Sequence, residues 1–424
     1  MPINRKIAPS IKPIRNIQYP SLYYYTLDNG IKVTEINKTD QEIVQIELIN
    51  SAGRIQEDKM MASRVTATLL KDGAGGKSGQ EIAEKVDYYG GSISSGSNLD
   101  ITRAGLFTLT QYQDKVIPYL ADIWLEPNFD ESELLKHKNN KIQKLREELS
   151  KPDTVSYRAI TEELFGIHHP YGYNSNKVLY ENLDIDDVNR HFNSHFGHNN
   201  MELVVTGKVT KETRRLINQY FGQFKKVITP KLYSAPASNI QAQDQHISIG
   251  SEYQTSLKIG RRLFTRNHPD YAAMFVLNVV LGGYFGSRLM SSIREDKGYT
   301  YNIYSSLGTF RHDGFFYIAT DVDHELVDKT KAEIYHQIER LQEDLISAKE
   351  MEMVRNYILG HFLSMLDGPF NIAQLVKTFI IHELSPHHFN EMKETVENIQ
   401  AEQLRTLAQK YLNKDQMIEV IVGN

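Results

Sequence analysis

The stretch 201-MELVVTG-207 returns near the other end of the chain as 417-MIEVIVG-423. Each copy begins with Met, continues through aliphatic and β-branched residues and closes on Gly, and Gly423 follows Gly207 by 216 residues (423 − 207). Short apolar runs of this kind are typical of buried β-strands. One strand therefore recurs at a fixed distance along the chain.

The segment before each strand repeats in the same register. A helix signal opens at 184-DIDDV-188 before the first copy and at 398-NIQAEQL-404 before the second, and Leu404 follows Val188 by the same 216 residues (404 − 188). A helix and a strand that recur together indicate an internal duplication. We therefore predict an α+β fold class, built from two homologous α+β halves.

A polar stretch separates the two halves. It contains Pro230 and Pro236 and shows no sustained apolar period, a composition typical of interdomain linkers. We therefore place the first half at residues 1–225, the linker at 226–245 and the second half at 246–424.

Local patterns predict several elements of the first half. A β-branched run predicts a strand over residues 43–49, and a helical period over residues 59–70 is followed by Gly73, which we interpret as its C-terminal cap. Further helices are predicted over residues 114–124 and 131–149.

The composition is that of a globular protein. Of the 424 residues, 40% are hydrophobic and 24% charged, and 48 basic against 53 acidic residues give a net charge of −5. This balance provides no general attraction to nucleic acid or anionic lipid. Cysteine is absent, which excludes disulfides, thiolate zinc ligands and a cysteine nucleophile. No apolar run is as long as a membrane span, which needs about 18 residues. The basic start of the chain lacks the apolar core of a secretory signal. The expected location is the cytoplasm, or the periplasm if a signal has been removed.

Two short motifs have a chemical and a structural interpretation. The segment 73-GAGGKS-78 resembles a phosphate loop, but Lys71 replaces the first glycine and a helix precedes it, so we favour a glycine-rich connection. His191 and His195 are four residues apart and share a helical face, as metal ligands can. No acidic partner has a familiar spacing, which favours ordinary helix histidines.

A longer motif, 281-LGGYFGSRLMSSIREDKGYTY-301, resembles a known signature. It is similar to the segment GG…SRL…(I/L)RE..G..Y in the second half of the pitrilysin-type (M16) zinc peptidases. The first half agrees in family order at 88-YYGGS-92 and 169-HPYG-172. The resemblance covers nearly the whole chain and implies a clamshell of two α+β halves around a peptide chamber.

Catalytic M16 members carry HxxEH, whose histidines bind zinc and whose glutamate activates water, and a later glutamate completes the site. The resemblance places this motif on 64-RVTAT-68. Arg64 is a fixed cation, Thr68 is a poor replacement for imidazole, and Ala67 has no carboxylate to act as a base. Only Glu147 or Glu148 stands at the third-ligand position. The resemblance therefore implies a degenerate zinc motif, with no metal, other cofactor or catalytic residue in this chain.

The second-half signature is intact. In the family, an arginine and a tyrosine seven residues later hold the substrate near the scissile bond, and these roles fall on Arg294 and Tyr301. Guanidinium and phenol groups are suitable donors to peptide carbonyls and to a developing oxyanion. The structural alternative is a surface arginine in an ion pair and a core tyrosine.

The resemblance implies a noncatalytic, substrate-binding subunit of a two-chain zinc peptidase that acts on unfolded peptides. The expected partner is an HxxEH-bearing homologue in a heterodimer; a homodimer is the other arrangement, and neither nucleic acid nor a membrane is expected. Two alternatives stay open, a structural or assembly protein without proteolysis and a stand-alone metallopeptidase with atypical ligands. Arg294 and Tyr301 favour the first interpretation, and the lack of any histidine before His137 disfavours the last.

Overall fold

The computed structural model describes residues 14, 17–197, 201–223, 243–250 and 254–424. In the first half, a six-stranded sheet has the strand order β1-β2-β8-β3-β7-β6, with a separate small hairpin of β4 and β5. The strands are β1 Tyr23–Thr26, β2 Lys32–Ile36, β3 Ile43–Asn50, β4 Gly73–Ala74, β5 Lys77–Ser78, β6 Ser92–Ser97, β7 Thr102–Leu109 and β8 Met201–Gly207. The helices are α1 Ala62–Leu69, α2 Gly79–Tyr88, α3 Gln113–Leu125, α4 Glu131–Glu148, α5 Pro152–Phe165, α6 Lys177–Glu181, α7 Ile185–His195 and α8 Lys211–Phe221.

The second half is built around a five-stranded sheet. Its strands are β9 Gln245–Ser248, β10 Thr255–Leu263, β11 Ile303–Thr309, β12 Gly314–Val322 and β13 Ile418–Gly423. Its helices are α9 Tyr271–Gly282, α10 Val327–Glu343, α11 Ala348–Met365, α12 Pro369–Ile381, α13 His387–Asn398 and α14 Ala401–Tyr411, with a π-helix at Met290–Asp296 between α9 and β11.

The two sheets have the same topology. The order β9-β13-β10-β12-β11 corresponds strand by strand to β2-β8-β3-β7-β6, so that only β1 is additional in the first sheet. In both sheets the first two of these strands run parallel and the remaining pairs run antiparallel. The predicted α+β class and the duplication of the halves are therefore confirmed.

Each half contributes one helix that packs on the sheet of the other half. Helix α5 follows the first half's α4 in sequence, but its Ile160 and Leu164 pack against Val420 and Val422 of the second sheet. Helix α12 belongs to the second half in sequence, and it packs against the first sheet. Both helices begin with a proline, whose fixed φ suits the first turn of a helix. The two halves are thus joined by apolar surface on both sides.

An ion pair lies within each of these two contacts. On the first sheet, Lys377 Nζ of α12 donates to Glu47 Oε1 at 2.9 Å, and both side chains are buried. On the second sheet, the buried Lys258 donates to Asp153 Oδ1 of α5 at 2.6 Å and to Ser156 Oγ at 2.9 Å. A buried ammonium without such partners would cost several kcal/mol.

Most predicted elements of the first half form close to their predicted bounds. The exception is Gly73, which opens β4 instead of capping a helix. The residues 73–78 form a hairpin in which Gly75 (φ 56°) and Gly76 (φ 74°) make the turn, a left-handed backbone that favours glycine. The glycine-rich connection is therefore a two-residue β-turn.

Most of the predicted linker, residues 226–242, lies outside the described residues. Its last residue, Gln245, already belongs to β9, which pairs with β13. In the described part of the chain, no helix combines the length and the apolar character needed to cross a lipid bilayer.

Candidate functional site

Helix α1 carries the degenerate zinc motif, and a half-buried carboxylate fixes its N-terminus. Glu57 accepts hydrogen bonds from the backbone N–H groups of Met61 at 3.1 Å and Ser63 at 2.8 Å, and Tyr173 Oη donates to the same carboxylate. Burial raises the pKa of Glu57, while the tyrosine and the nearby Arg54 act in the opposite direction. The start of α1 is therefore held rigidly, because its free N–H groups have acceptors.

The motif positions on α1 offer no metal ligand. The Arg64 side chain is exposed, Ala67 is fully buried, and Thr68 is partly exposed. The Thr68 hydroxyl donates to the Arg64 carbonyl oxygen at 2.9 Å. A cation, a methyl group and a hydroxyl already used by its own helix do not fit zinc, which needs neutral imidazole or anionic ligands. Among the described residues, no group of three His, Asp or Glu side chains could hold a metal ion.

Helix α4 packs beside α1 and contains the predicted third-ligand position. Glu147 is exposed, and Glu148 forms an ion pair with Lys144 at 3.6 Å on the same helix. Within the described chain, neither carboxylate forms an ion pair with Arg64.

Arg64 acts electrostatically on a buried histidine of α4, His137, as does Lys141 of the same helix. His137 is buried, and its pKa is lowered to about 4 by burial, with further contributions from the charges of Lys141 and Arg64. Sequence reasoning did not select this pair. A helical period that places Leu134, His137, Lys141 and Leu145 along one side of α4 could have indicated it.

Arg294 lies on the π-helix at Met290–Asp296. Its guanidinium carbon is 4.9 Å from the ring centroid of Phe285, a cation–π contact, and the side chain is half-buried. Within the described chain it forms no ion pair, unlike the surface salt bridge of the structural alternative. The donors of Arg294 are therefore available to a ligand.

Glu333 of α10 ties the two ends of this π-helical turn together. It accepts hydrogen bonds from Ser292 Oγ and from Lys297 Nζ, the latter at 3.2 Å. The backbone of Lys297 also donates to the Ser292 carbonyl at 3.2 Å, the five-residue step that defines a π-turn. These bonds flank Arg294 on both sides and fix the backbone that presents it.

Tyr301 lies in the segment that leads into β11. Its side chain is 90% exposed, so it is not a core tyrosine. It borders a cavity of about 140 Å³, lined by Asp153, Gln254, Thr300, Asn302, Tyr304, Ala319, Thr320 and Asp321. No hydrogen bond or cation–π contact joins Tyr301 to Arg294 within the described residues; Arg294 lies on the π-helix and Tyr301 in the segment between that helix and β11.

The histidine pair on α7 is structural. His191 and His195 are both buried, with ring centroids 4.7 Å apart, and His191 Nε2 lies 3.1 Å from the Ala52 carbonyl oxygen. Burial lowers the pKa of His191 to about 3, and His195 adds to this effect. The interpretation as ordinary helix histidines agrees with this packing.

Comparison with known proteins identifies the fold. Residues 182–358 match the family model described as "Peptidase M16 inactive domain". The chain is 22% identical to the "Uncharacterized zinc protease YmxG" of Bacillus subtilis, over 81% of this chain and 84% of the relative. It is also 22% identical to the "Non-peptidase homolog YmxG" of Helicobacter pylori, over 72% of this chain and 71% of the relative.

Solved structures agree with this family resemblance. The structure described as a peptidase M16 inactive domain from Pseudomonas fluorescens superimposes with a TM-score of 0.87 and 22% identity, covering 95% of this chain and 98% of that one. A protease from Helicobacter pylori superimposes with a TM-score of 0.85 and 17% identity, covering 96% and 100%. The resemblance to the M16 peptidases and the two-half fold that it implied are confirmed.

Proposed function

We propose that this chain, which shares the fold of the M16 zinc peptidases, is a noncatalytic subunit that binds unfolded peptides and completes the active site of a separate, zinc-bearing chain. One combination carries the proposal. Helix α1 has Arg64, Ala67 and Thr68 where catalytic members have zinc ligands and base, whereas Tyr301 is 90% exposed. The Tyr301 hydroxyl therefore lies outside the core and is available to donate a hydrogen bond to a ligand.

An open sheet edge supports peptide binding. Strand β6 is the last strand of the first sheet and pairs only with β7 among the described strands. Ser63 Oγ of α1 lies 2.7 Å from Ser97 Oγ at the end of β6, so this edge ends beside the degenerate motif. An extended peptide can add to such an edge through backbone hydrogen bonds, which do not depend on its sequence.

The chemistry of the second-half pair supports a role in catalysis by the complex. Arg294 offers guanidinium N–H groups and Tyr301 a phenolic O–H, both suitable for holding a peptide carbonyl or stabilising a developing oxyanion. Zinc and the water-activating carboxylate would come from the partner chain. The proposed assembly is a cytoplasmic heterodimer with an HxxEH-bearing homologue.

Reconstitution tests the proposal. The chain and an HxxEH-bearing homologue from the same genome would be purified separately and mixed, and the hydrolysis of a quenched-fluorescent, unstructured peptide would be followed. We expect hydrolysis only from the mixture, with loss of activity on chelation of zinc. A partner whose motif glutamate is changed to glutamine is the matched inactive control.

Two results would contradict the proposal in different ways. Chelator-sensitive hydrolysis by the pure chain alone would identify a stand-alone peptidase. Full activity of the partner alone, with no gain on mixing, would leave this chain with a structural or assembly role.

A further inference from the structure

The exposed cation of the degenerate motif lies at the end of the open sheet edge. Arg64 follows Ser63 directly, and the hydroxyl of Ser63 is 2.7 Å from that of Ser97, the last residue of β6. A strand added to β6 would run about 4.8 Å from it. The exposed side chain of Arg64 is therefore within reach of a peptide on this edge, since a guanidinium extends several ångströms from its own helix.

A second cation acts on the same buried histidine as Arg64. Lys141 of α4 is partly buried, and both charges act on the buried ring of His137, which lies between these helices. Neither Arg64 nor Lys141 forms an ion pair with any residue that the structure describes. Both cations therefore add positive potential at this buried imidazole.

The nearby carboxylates are already engaged. Glu57 accepts from the N-terminus of α1 and from Tyr173, and Glu148 is paired with Lys144. The guanidinium of Arg54 is also engaged, because it donates to the carbonyl oxygens of Pro170 at 3.1 Å and Tyr173 at 2.8 Å. The side chains of Arg64 and Lys141, by contrast, form no hydrogen bond or ion pair with the described residues, so their donors are free.

We propose that Arg64 and Lys141 form a carboxylate-binding site for the peptide that pairs with β6. The ligand is an acidic side chain or the C-terminal carboxylate of that peptide, and the guanidinium fork matches either one bidentately. This inference rests on the proposed peptide-binding function and specifies its substrate class. Where catalytic relatives attract a carbonyl oxygen with zinc, this chain selects a full negative charge.

Binding to the purified chain tests the site without any partner. Three fluorescently labelled, unstructured peptides of one neutral sequence would be compared by anisotropy: one amidated, one with a free C-terminal carboxylate, and one amidated with a single internal Glu. We expect at least one of the two carboxylate-bearing peptides to bind about tenfold more tightly than the neutral one. The peptide that gains affinity identifies the source of the carboxylate.

Substitutions locate the effect. Arg64→Gln should abolish the preference, and Lys141→Gln should reduce it, with affinity for the neutral peptide unchanged. Lys85→Gln removes an equally exposed charge from α2 and is the matched control, which should keep the full preference. Equal affinities for all three peptides, or an unchanged preference in Arg64→Gln, would overturn the carboxylate site alone. Failure of every peptide to bind would overturn it together with the proposed peptide-binding function.

Discussion

Glu47 and Lys258 occupy equivalent positions on the two sheets and carry opposite charges. Glu47 on β3 lies across the ladder from Val204, and Lys258 on β10 lies across from Val420, 216 residues further along (420 − 204). Each is neutralised by a helix of the other half, Glu47 by Lys377 and Lys258 by Asp153. The sheet charges are thus of opposite sign at equivalent positions, and their partners lie at different positions of the two helices, Asp153 in the first turn of α5 and Lys377 in the middle of α12.

Removing one partner of the more buried pair should destabilise the protein strongly. In Lys377→Met, Glu47 would remain buried with only the more distant Arg103 guanidinium, 4.0 Å away, as its cation, and we expect the free energy of unfolding to fall by about 3 kcal/mol. Chemical denaturation followed by circular dichroism measures this change. The double variant Glu47→Gln with Lys377→Met should recover a large part of the loss, and a double variant as unstable as the single one would contradict the ion-pair explanation.

Acidic pH should destabilise the fold through its buried histidines. Burial lowers the pKa of His191 and of His382 to about 3 and that of His137 to about 4, from an ordinary value of 6.5. The unfolded chain therefore takes up protons that the folded chain does not, so the stabilisation is present above pH 6.5 and is lost as the pH falls toward these values. Each histidine contributes up to about 1.4 kcal/mol per pH unit in that window.

Thermal unfolding at a series of pH values measures this loss. The melting temperature should fall between about pH 7 and pH 5. His191→Gln should flatten the dependence, whereas His361→Gln, at an exposed position of α11, should not. An equal slope in both variants would show that groups other than His191 control the acid response.

The protein should contain no stoichiometric zinc. Arg64 repels a dication, and the Thr68 hydroxyl is already bonded within α1, so the motif positions supply no first ligand. Elemental analysis of protein purified without a metal-affinity tag should give far less than one zinc per chain. One tightly held equivalent would require a ligand set elsewhere in the chain.

Tyr301 and Arg294 should affect turnover and leave stability intact. In the reconstituted two-chain enzyme, Tyr301→Phe or Arg294→Ala should lower kcat by about 10²-fold, the typical effect of removing one oxyanion donor. The melting temperature should hardly change, because Tyr301 is 90% exposed. Tyr88→Phe, at another exposed tyrosine (80% exposed), is the matched control; turnover unchanged in all three variants would assign the chain a scaffold role.

Local sequence patterns predicted much of the fold. The strand predicted over residues 43–49 forms as β3, and the helix predicted over residues 131–149 forms as α4, each within one residue at either end. The 216-residue repeat correctly predicted equivalent sheets. Helices and strands depend on the spacing of apolar residues along the chain, so the period of that spacing predicts them. Gly73 was misassigned because a glycine after a helix can open a hairpin as readily as cap the helix.

Long-range contacts could not be predicted in the same way. The motif placed Arg64, Ala67 and Thr68 on one helix, but it gave no indication that the charge of Arg64 acts on the buried His137 of α4. Glu57 meets Tyr173 across 116 residues, and no local pattern indicates a pairing of that kind. The exchange of α5 and α12 between the halves could not be predicted either, because the segments before and after each helix do not indicate which sheet it covers.

The exchange of helices suggests how such a chain could arise. One half alone would leave one face of its sheet uncovered and one helix without a sheet to pack on. In two copies related by a twofold axis, each helix would cover the sheet of the other copy. The present chain has the form of such a swapped dimer fused into one polypeptide. In a homodimer the positions of Glu47 and Lys258 would have to hold the same residue. Fusion into one polypeptide would remove that constraint and allow one position to hold an acid and the other a base.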